Sequence, residues 1–119
     1  MKLVRYFHLL LKTMNLLFIC SMNQWRSRTA ETIFRELPGH SVRSAGTDVN
    51  AQVKVNAQLL EWADRIFVME DKHKEFILKN FRAATSGKKI IVLGIPDEYQ
   101  YMNEELISLL GTAVNPYLT

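Results

Sequence analysis

Residues 14–27, MNLLFICSMNQWRS, determine the fold that the sequence predicts. The stretch contains Leu16, Leu17, Phe18 and Ile19, a continuous apolar run that is typical of a strand buried on both faces. A short polar loop follows Cys20, and helical spacing of apolar residues begins after it. A buried strand that leads through a short loop into a helix is the opening unit of a parallel α/β sheet.

The rest of the chain repeats this alternation. Strands are predicted at residues 15–20, 40–44, 65–69 and 90–93, and helices at residues 27–37, 50–63, 71–81 and 103–110. Between them we expect a turn at residues 45–47 and loops at residues 83–87 and 94–98. Pro38 and Gly39 end the first helix, Asp71 is placed to cap the third, and Gly111 is placed to end the last.

This order predicts an α/β three-layer sandwich. We expect a four-stranded parallel sheet with strand order 2-1-3-4 and helices on both faces. Ligands of such sheets bind beyond the carboxyl ends of the strands. The loop after Cys20 and the loop around Asp97 are therefore the candidate functional loops.

The net positive charge lies at the N-terminus. The chain has 119 residues, with 15 Lys and Arg against 12 Asp and Glu. Lys2, Arg5 and Lys12 lie among residues 1–13, which contain no acid, so residues 14–119 are electrically balanced. We interpret residues 1–13 as an N-terminal extension, either flexible or produced by an upstream start codon, and residues 14–119 as a single domain. The extension is too short to span a bilayer. We expect neither a nucleic-acid nor a membrane partner.

Cysteine and histidine usage limits the chemistry. Cys20 is the single cysteine, which excludes an intramolecular disulfide and a multi-cysteine zinc site. A lone thiol fits a reducing cytoplasm, where we expect the protein to be. His8, His40 and His73 lack metal-ligand spacing, so we expect neither a metal nor another cofactor.

The loop after the first strand, which we name the Cys20 loop, has the composition of an oxyanion site. It consists of Ser21, Met22, Asn23, Gln24, Trp25, Arg26 and Ser27. Backbone N–H groups of a short loop and the positive end of the following helix can surround a phosphate, and an arginine can bind two of its oxygens. The same positive environment favours a Cys20 thiolate, which can attack phosphorus. Ser27 would donate a hydrogen bond to it, and Asn23 would brace the loop.

Each residue alone has a simpler interpretation. Free cysteines are usually small core residues, and Arg26 alone would be a solvated helix residue. The combination favours phosphate chemistry instead, because a cysteine is followed after five residues by Arg-Ser and the whole pattern lies across a strand-to-helix turn.

This C-x5-R-S pattern resembles the phosphate loop of the low-molecular-weight protein-tyrosine phosphatases. Further similar segments are Ala30-Glu31, Ser44-Ala45-Gly46-Thr47, Ala63-Asp64, Val68-Met69 and Ile95-Pro96-Asp97-Glu98-Tyr99. The resemblance covers roughly residues 14–110 and makes residues 14–119 a phosphatase-like domain. It implies metal-independent phosphomonoester hydrolysis through a cysteinyl-phosphate, with Cys20 as nucleophile, Arg26 on the phosphate oxygens and Asp97 as general acid.

The sequence also departs from the family pattern. Met22 replaces a glycine, Trp25 replaces the second loop cysteine, Arg28 replaces a proline, and Glu98 replaces the proline after the acid. Glu98 is therefore a competing general acid. Met22 raises the alternative of a phosphate- or phosphopeptide-binding module with little turnover.

Four aromatic residues are candidates for contact with a leaving group. Trp25 and Tyr99 lie in the two candidate loops and are assigned to the substrate pocket. Trp62 lies on the apolar face of its helix and is interpreted as a packing residue, whereas Tyr101 fits either role. The substrate itself stays open between a phosphotyrosine protein and a small aryl or alkyl phosphomonoester, and the oligomeric state stays open too.

Two other chemistries are weaker matches. Arsenate reduction requires further cysteines to resolve its intermediate, and the chain has only one. Phosphocysteine carrier domains generally lack a loop arginine, whereas this loop contains Arg26.

Overall fold

The computed structural model describes residues 13–118. Strands are β1 (Asn15–Cys20), β2 (Ser41–Gly46), β3 (Arg65–Val68) and β4 (Lys89–Val92). Helices are α1 (Arg26–Phe34), α2 (Ala57–Trp62), α3 (Asp71–Asn80), α4 (Arg82–Thr85) and α5 (Glu104–Val114), followed by a 3-10 turn at Asn115–Tyr117. The predicted extension at residues 1–13 lies, except for Thr13, outside the described residues.

The four strands form one parallel sheet in the order β2-β1-β3-β4, which confirms the predicted architecture. β1 is central, and its residues from Leu16 to Cys20 are buried because helices cover both faces of the sheet. Since all strands are parallel, their carboxyl ends meet at one edge. The segments that follow β1, β3 and β4 therefore approach one another there.

Alternate residues of β1 belong to two separate cores. Leu16 and Phe18 pack with residues of α1 and α5, whereas Leu17 and Ile19 pack with residues of α2, α3 and α4. The ring of Phe18 stacks on Phe34 at 5.3 Å and on Phe67 at 5.0 Å between centroids. This two-sided burial holds the end of β1, and so the Cys20 loop, in a fixed position.

The prediction of a helix over residues 50–63 was wrong for its first half, because α2 begins only at Ala57. The preceding residues bond to other parts of the chain: Gln52 N–H donates to the Met22 carbonyl at 3.0 Å, and Val55 N–H to the Gly46 carbonyl at 2.9 Å. Asn56 then caps the helix, its side chain accepting from Leu59 N–H at 2.8 Å. Half of the predicted helix is a loop that lies against the Cys20 loop.

The expected turn at residues 45–47 also differs, because β2 continues to Gly46 and pairs with β1 up to Cys20. The last helix passes through Gly111 to the buried Val114, so burial of an apolar residue outweighs the stop signal. α1 ends at Phe34 rather than at residue 37. The expected loop at residues 83–87 contains the short helix α4.

The cap of α3 is Glu70 rather than Asp71. The His73 N–H donates to the Glu70 carbonyl at 3.0 Å, and the His73 ring accepts in turn from Glu70 N–H at 3.1 Å. This reciprocal pair joins Glu70 and His73 at the start of the helix in the manner of a capping box.

Membrane-spanning helices and clusters of metal ligands are both absent from the described part of the chain. Within residues 13–118, no helix combines the length and the apolar character that crossing a bilayer requires. The same residues contain no group of three or more His, Cys, Asp or Glu side chains placed to hold a metal ion.

Candidate active site

The Cys20 loop connects the buried end of β1 to the first turn of α1. Arg26 is the first helical residue, and no side chain caps the helix at Trp25. The N–H groups of a first helical turn have no partners within the helix, so they are available to an anion. Met22 does not have positive φ, so replacing the family's glycine there requires no left-handed backbone.

Gly46 allows the loop to lie directly against the end of β2. A Cβ at this position would be 2.3 Å from the Ser21 carbonyl oxygen and 3.0 Å from the backbone nitrogen of Asn23. Only glycine accommodates backbone at this distance. The Ser-Ala-Gly-Thr segment thus has a steric role in shaping the Cys20 loop.

Cys20 is buried and receives hydrogen bonds at sulfur. The Asn23 N–H donates to Sγ at 3.3 Å, and the Ser27 Oγ lies 3.0 Å from it. Asn23 has a φ of 55°, a left-handed conformation that asparagine tolerates better than most residues. As expected from the sequence, Asn23 braces the loop and Ser27 contacts the thiol.

A chain of hydrogen bonds leads from the Glu31 carboxylate to the Ser27 hydroxyl beside Cys20. The Glu31 carboxylate can only accept, so Ser44 donates to it at 2.7 Å. The Ser44 oxygen then accepts from the Asn23 amide at 2.9 Å, and the same amide nitrogen donates to Ser27 Oγ at 2.8 Å. The Ser27 oxygen thus accepts from Asn23, and toward a Cys20 thiolate, which can only accept, the Ser27 hydroxyl is the donor.

The orientation of the Asn23 amide, on which this chain depends, is set by the backbone. Its oxygen accepts from Val53 N–H at 3.1 Å, so the nitrogen must face the two serines. The loop at residues 47–55 therefore contributes directly to the geometry around Cys20.

Arg26 is almost completely buried, with 2% of its surface exposed. Its Nη1 donates to the Ile95 carbonyl at 2.8 Å and to Glu70 Oε2 at 2.5 Å. The opposite edge of the guanidinium, with Nε and Nη2, makes no hydrogen bond to the residues that the structure describes and faces Asp97, so this is the edge that an oxyanion can reach. Partial burial raises the pKa of Glu70, but the hydrogen bond and charge of Arg26 outweigh this and hold it below its ordinary value.

Asp97 lies beside this arginine, 3.7 Å from Oδ1 to Nε, and its side chain is largely exposed. A small cavity of about 40 Å³ is lined by Cys20, Met22, Gln24, Trp25, Arg26 and Asp97. The structure thus brings the three predicted catalytic residues together around one cavity. Glu98 is not among the residues that line it.

The two predicted pocket aromatics differ in position. Trp25 lines the cavity and is 40% exposed at its rim. Tyr99 is outside the lining and packs, partly buried, against the core on the α1 and α5 side. Trp62 packs against the core on the opposite face of the sheet, which agrees with its interpretation as a packing residue. The Tyr101 hydroxyl bonds to Thr32 Oγ1 at 2.8 Å.

Four residues of the surroundings had no assigned role from the sequence: Glu31, Ser44, Glu70 and His73. Glu31 and Ser44 lie in segments that resemble the family, and this similarity was the only signal for them. Glu70 and His73 form the capping box of α3, a pattern that indicates a helix start and not a site. His73 Nε2 lies 2.9 Å from Ser21 Oγ, so this capping turn also contacts the Cys20 loop.

A second, more open depression of about 490 Å³ is lined by Glu70, Asp71, Lys72, Val92, Gly94 and Pro96. It includes neither Cys20 nor Asp97, although it is much larger. The smaller cavity is therefore the candidate site, because Cys20, Arg26 and Asp97 converge there.

Several solved structures share the fold of this chain. No protein-family model and no curated protein matches the chain. Among solved structures, the tyrosine phosphatase Wzb from Escherichia coli K30 in complex with phosphate is 26% identical, with a TM-score of 0.70 over 87% of this chain and 95% of that one.

Two further structures share the fold at lower identity. A low-molecular-weight phosphotyrosine phosphatase from Vibrio cholerae O395 is 21% identical, with a TM-score of 0.69 over 87% of this chain and 95% of that one. The YwlE arginine phosphatase from Geobacillus stearothermophilus is 21% identical, with a TM-score of 0.64 over 87% and 93%. The resemblance predicted from the sequence is thereby confirmed.

Proposed function

We propose that this chain, which has the fold of the low-molecular-weight protein-tyrosine phosphatases, is a cysteine-dependent phosphomonoester hydrolase whose catalytic domain spans residues 14–119. The observation that carries the proposal is the convergence of Cys20, Arg26 and Asp97 on one cavity at a helix N-terminus. A nucleophile, a fixed cation and an acid are the three groups that metal-free phosphoryl transfer needs.

In the first step, Cys20 Sγ attacks phosphorus and the bond to the leaving oxygen breaks. Asp97 supplies the proton that the leaving oxygen takes. The Nε and Nη2 edge of Arg26 and the N–H groups of the Cys20 loop stabilise the equatorial oxygens. The product of this step is a cysteinyl-phosphate and the free alcohol or phenol.

In the second step, Asp97 accepts a proton from water while the water oxygen attacks phosphorus. The S–P bond breaks, inorganic phosphate is released, and the sulfur departs as a thiolate. The Ser27 hydroxyl, 3.0 Å from Sγ, stabilises this thiolate by a hydrogen bond. The step moves a phosphoryl group from sulfur to water and a proton from water to Asp97, so it needs no oxidant or reductant.

The assignment of the general acid to Asp97 rests on position. Asp97 lines the cavity and faces Arg26, whereas Glu98 does not. The Asp97 loop, residues 94–98, is anchored at Ile95, whose N–H donates to the Met69 carbonyl at 2.9 Å and whose carbonyl accepts from Arg26. These bonds hold the loop that carries Asp97 beside Arg26, at the cavity that Cys20 also lines.

We assign a phosphorylated substrate with an aromatic leaving group, either a phosphotyrosine protein or a small aryl phosphomonoester. Trp25 supports this, because its exposed ring at the cavity rim can stack on an aromatic group. Tyr99 would contribute only from its partly buried position beside the Asp97 loop. A reducing compartment such as the cytoplasm suits a reaction that requires the free Cys20 thiol.

The test is hydrolysis of p-nitrophenyl phosphate by the purified protein in the presence of EDTA. We expect turnover that the chelator does not affect, and loss of turnover in Cys20→Ser. Full activity in Cys20→Ser would refute the nucleophile. Phosphate binding without any release of nitrophenol would instead identify a phosphate-binding module.

A further inference from the structure

His73 is a buried titratable residue that the two-step reaction does not use. Only 1% of its surface is exposed, and it lies in the first turn of α3, where its ring contacts both the helix cap and the Cys20 loop. Burial, and secondarily the charge of Arg26, lowers its pKa to about 4. The imidazole is therefore neutral at neutral pH.

The hydrogen bonds identify the tautomer of this neutral ring. Glu70 N–H donates to Nδ1 at 3.1 Å, so Nδ1 must carry a lone pair and the proton must be on Nε2. Nε2 lies 2.9 Å from Ser21 Oγ and consequently donates to it. One ring thus joins the cap of α3 to the residue that follows the nucleophile.

The same helical turn also holds the far end of the Cys20 loop. Glu70 binds Arg26, and His73 binds Ser21, so both ends of the loop are tied to two residues one turn apart. Ser21 is anchored a second time, since its carbonyl accepts from Asp48 N–H at 3.0 Å. With its hydroxyl and carbonyl both fixed, the peptide groups on either side of Ser21 have little freedom.

We propose that His73 is a positioning residue, whose Nε2–H bond to Ser21 sets the amino end of the Cys20 loop relative to Arg26 and so aligns the oxyanion donors. The proposal rests on the proposed function, because the donors it aligns are those of the phosphatase reaction. His73 acts through Ser21 and does not line the cavity.

Two substitutions separate the positioning role from simple packing. In His73→Asn, the shorter amide can still accept from Glu70 N–H but cannot reach Ser21. In His73→Gln, the longer amide places a nitrogen near the former Nε2 and can still donate to Ser21. Both variants remove the buried ring, so unfolding by urea serves as the common measure of lost packing.

We expect His73→Asn to lose about tenfold in kcat/KM for p-nitrophenyl phosphate, the effect of one neutral hydrogen bond. Affinity for inorganic phosphate, measured by calorimetry, should weaken by a similar factor. His73→Gln should recover most of both. In a Ser21→Ala background, the difference between Asn and Gln at position 73 should disappear.

Equal losses in the Asn and Gln variants, or a difference that persists without the Ser21 hydroxyl, would overturn the positioning role. The phosphate measurement keeps the two proposals distinct. A wild-type protein that binds phosphate but does not turn over would contradict the phosphatase, while the contrast between variants in phosphate affinity would still test His73.

Discussion

Replacing Ser27 by alanine should slow the second step of the reaction more than the first. The hydroxyl lies 3.0 Å from the Cys20 sulfur in a buried site, at the end of a hydrogen-bond chain that starts at the Glu31 carboxylate, and it is the donor when the sulfur is a thiolate. In the first step the thiolate is consumed, so a bond that stabilises it gives little advantage. In the second step the thiolate is the leaving group, and the same bond lowers the barrier.

The magnitude follows from the charge on sulfur. A hydrogen bond to an ionised group contributes about 1.5–3 kcal/mol. Loss of the bond should therefore slow hydrolysis of the cysteinyl-phosphate by roughly 10- to 150-fold, at about 1.4 kcal/mol for each factor of ten. Ser44→Ala interrupts the same chain two bonds further from sulfur and leaves the Ser27 hydroxyl in place, so it should cost much less.

The assay is rapid-mixing hydrolysis of p-nitrophenyl phosphate, which reports nitrophenol released in the first step. Ser27→Ala should show a burst of about one equivalent followed by slow turnover, and the phosphoenzyme should be detectable by mass spectrometry after acid quenching. A uniform slowing of both steps without a burst would refute the inferred direction of the hydrogen bond. An effect of Ser44→Ala as large as that of Ser27→Ala would point instead to collapse of the loop.

Three further predictions concern packing, pH and the acid. Gly46→Ala should lower the free energy of unfolding by about 1–3 kcal/mol and reduce turnover, because the added Cβ would meet the backbone of the Cys20 loop. Gly111→Ala is the control: its Cβ would have nothing within 4 Å, so the substitution should stabilise α5 by roughly 0.5–1 kcal/mol. Urea unfolding and kcat/KM measure the effects of both substitutions. The pKa of His73 falls from 6.5 to about 4 on folding, so as the pH is lowered the unfolded chain takes up the proton before the folded chain does. The free energy of unfolding should therefore fall by about 2 kcal/mol from pH 7 to pH 5, and His73→Asn should remove this contribution. Asp97→Asn should reduce kcat by about 10²- to 10⁴-fold for substrates with poor leaving groups while Glu98→Gln leaves it unchanged, and the reverse pattern would move the acid role to Glu98.

The parts of the fold that could be predicted from the sequence are those set by local burial. The apolar run of β1 is sufficient to indicate a strand covered on both faces, and the alternation after it gives the parallel sheet. Residues 50–56 have helical spacing but form a loop, because their backbone groups bond to the Cys20 loop and to Gly46. Such long-range partners are not encoded in local periodicity. Gly111 is a similar case: it predicts the end of a helix, but α5 continues beyond it because Val114, three residues later, is buried.

The candidate site shows the same division. Cys20, Arg26 and Ser27 are close in sequence, so one motif was enough to indicate them, and Asp97 followed from the resemblance. Glu70 contacts Arg26 only because β1 and β3 are neighbours whose carboxyl ends meet at one edge. In the sequence, Glu70 is fully explained as the residue that caps α3. No sequence pattern distinguishes such a cap from one that also orients an arginine.

The placement of carboxylates accounts for how an anion site tolerates so many acids. Glu31 and Glu70 lie outside the cavity, each accepting at the outer end of a set of donors: Glu31 through Ser44, and Glu70 at Arg26 Nη1. Because each carboxylate accepts on the side away from the cavity, the remaining donors face the cavity. Each acid therefore supports the binding of an anion, although the carboxylate and the anion are both negative. Asp97 alone among the six lining residues brings a carboxyl group into the cavity, and there the proposed reaction needs an acid that exchanges a proton with the substrate. The position of each carboxylate, and not the net charge of the site, therefore determines whether it orients a donor or takes part in proton transfer.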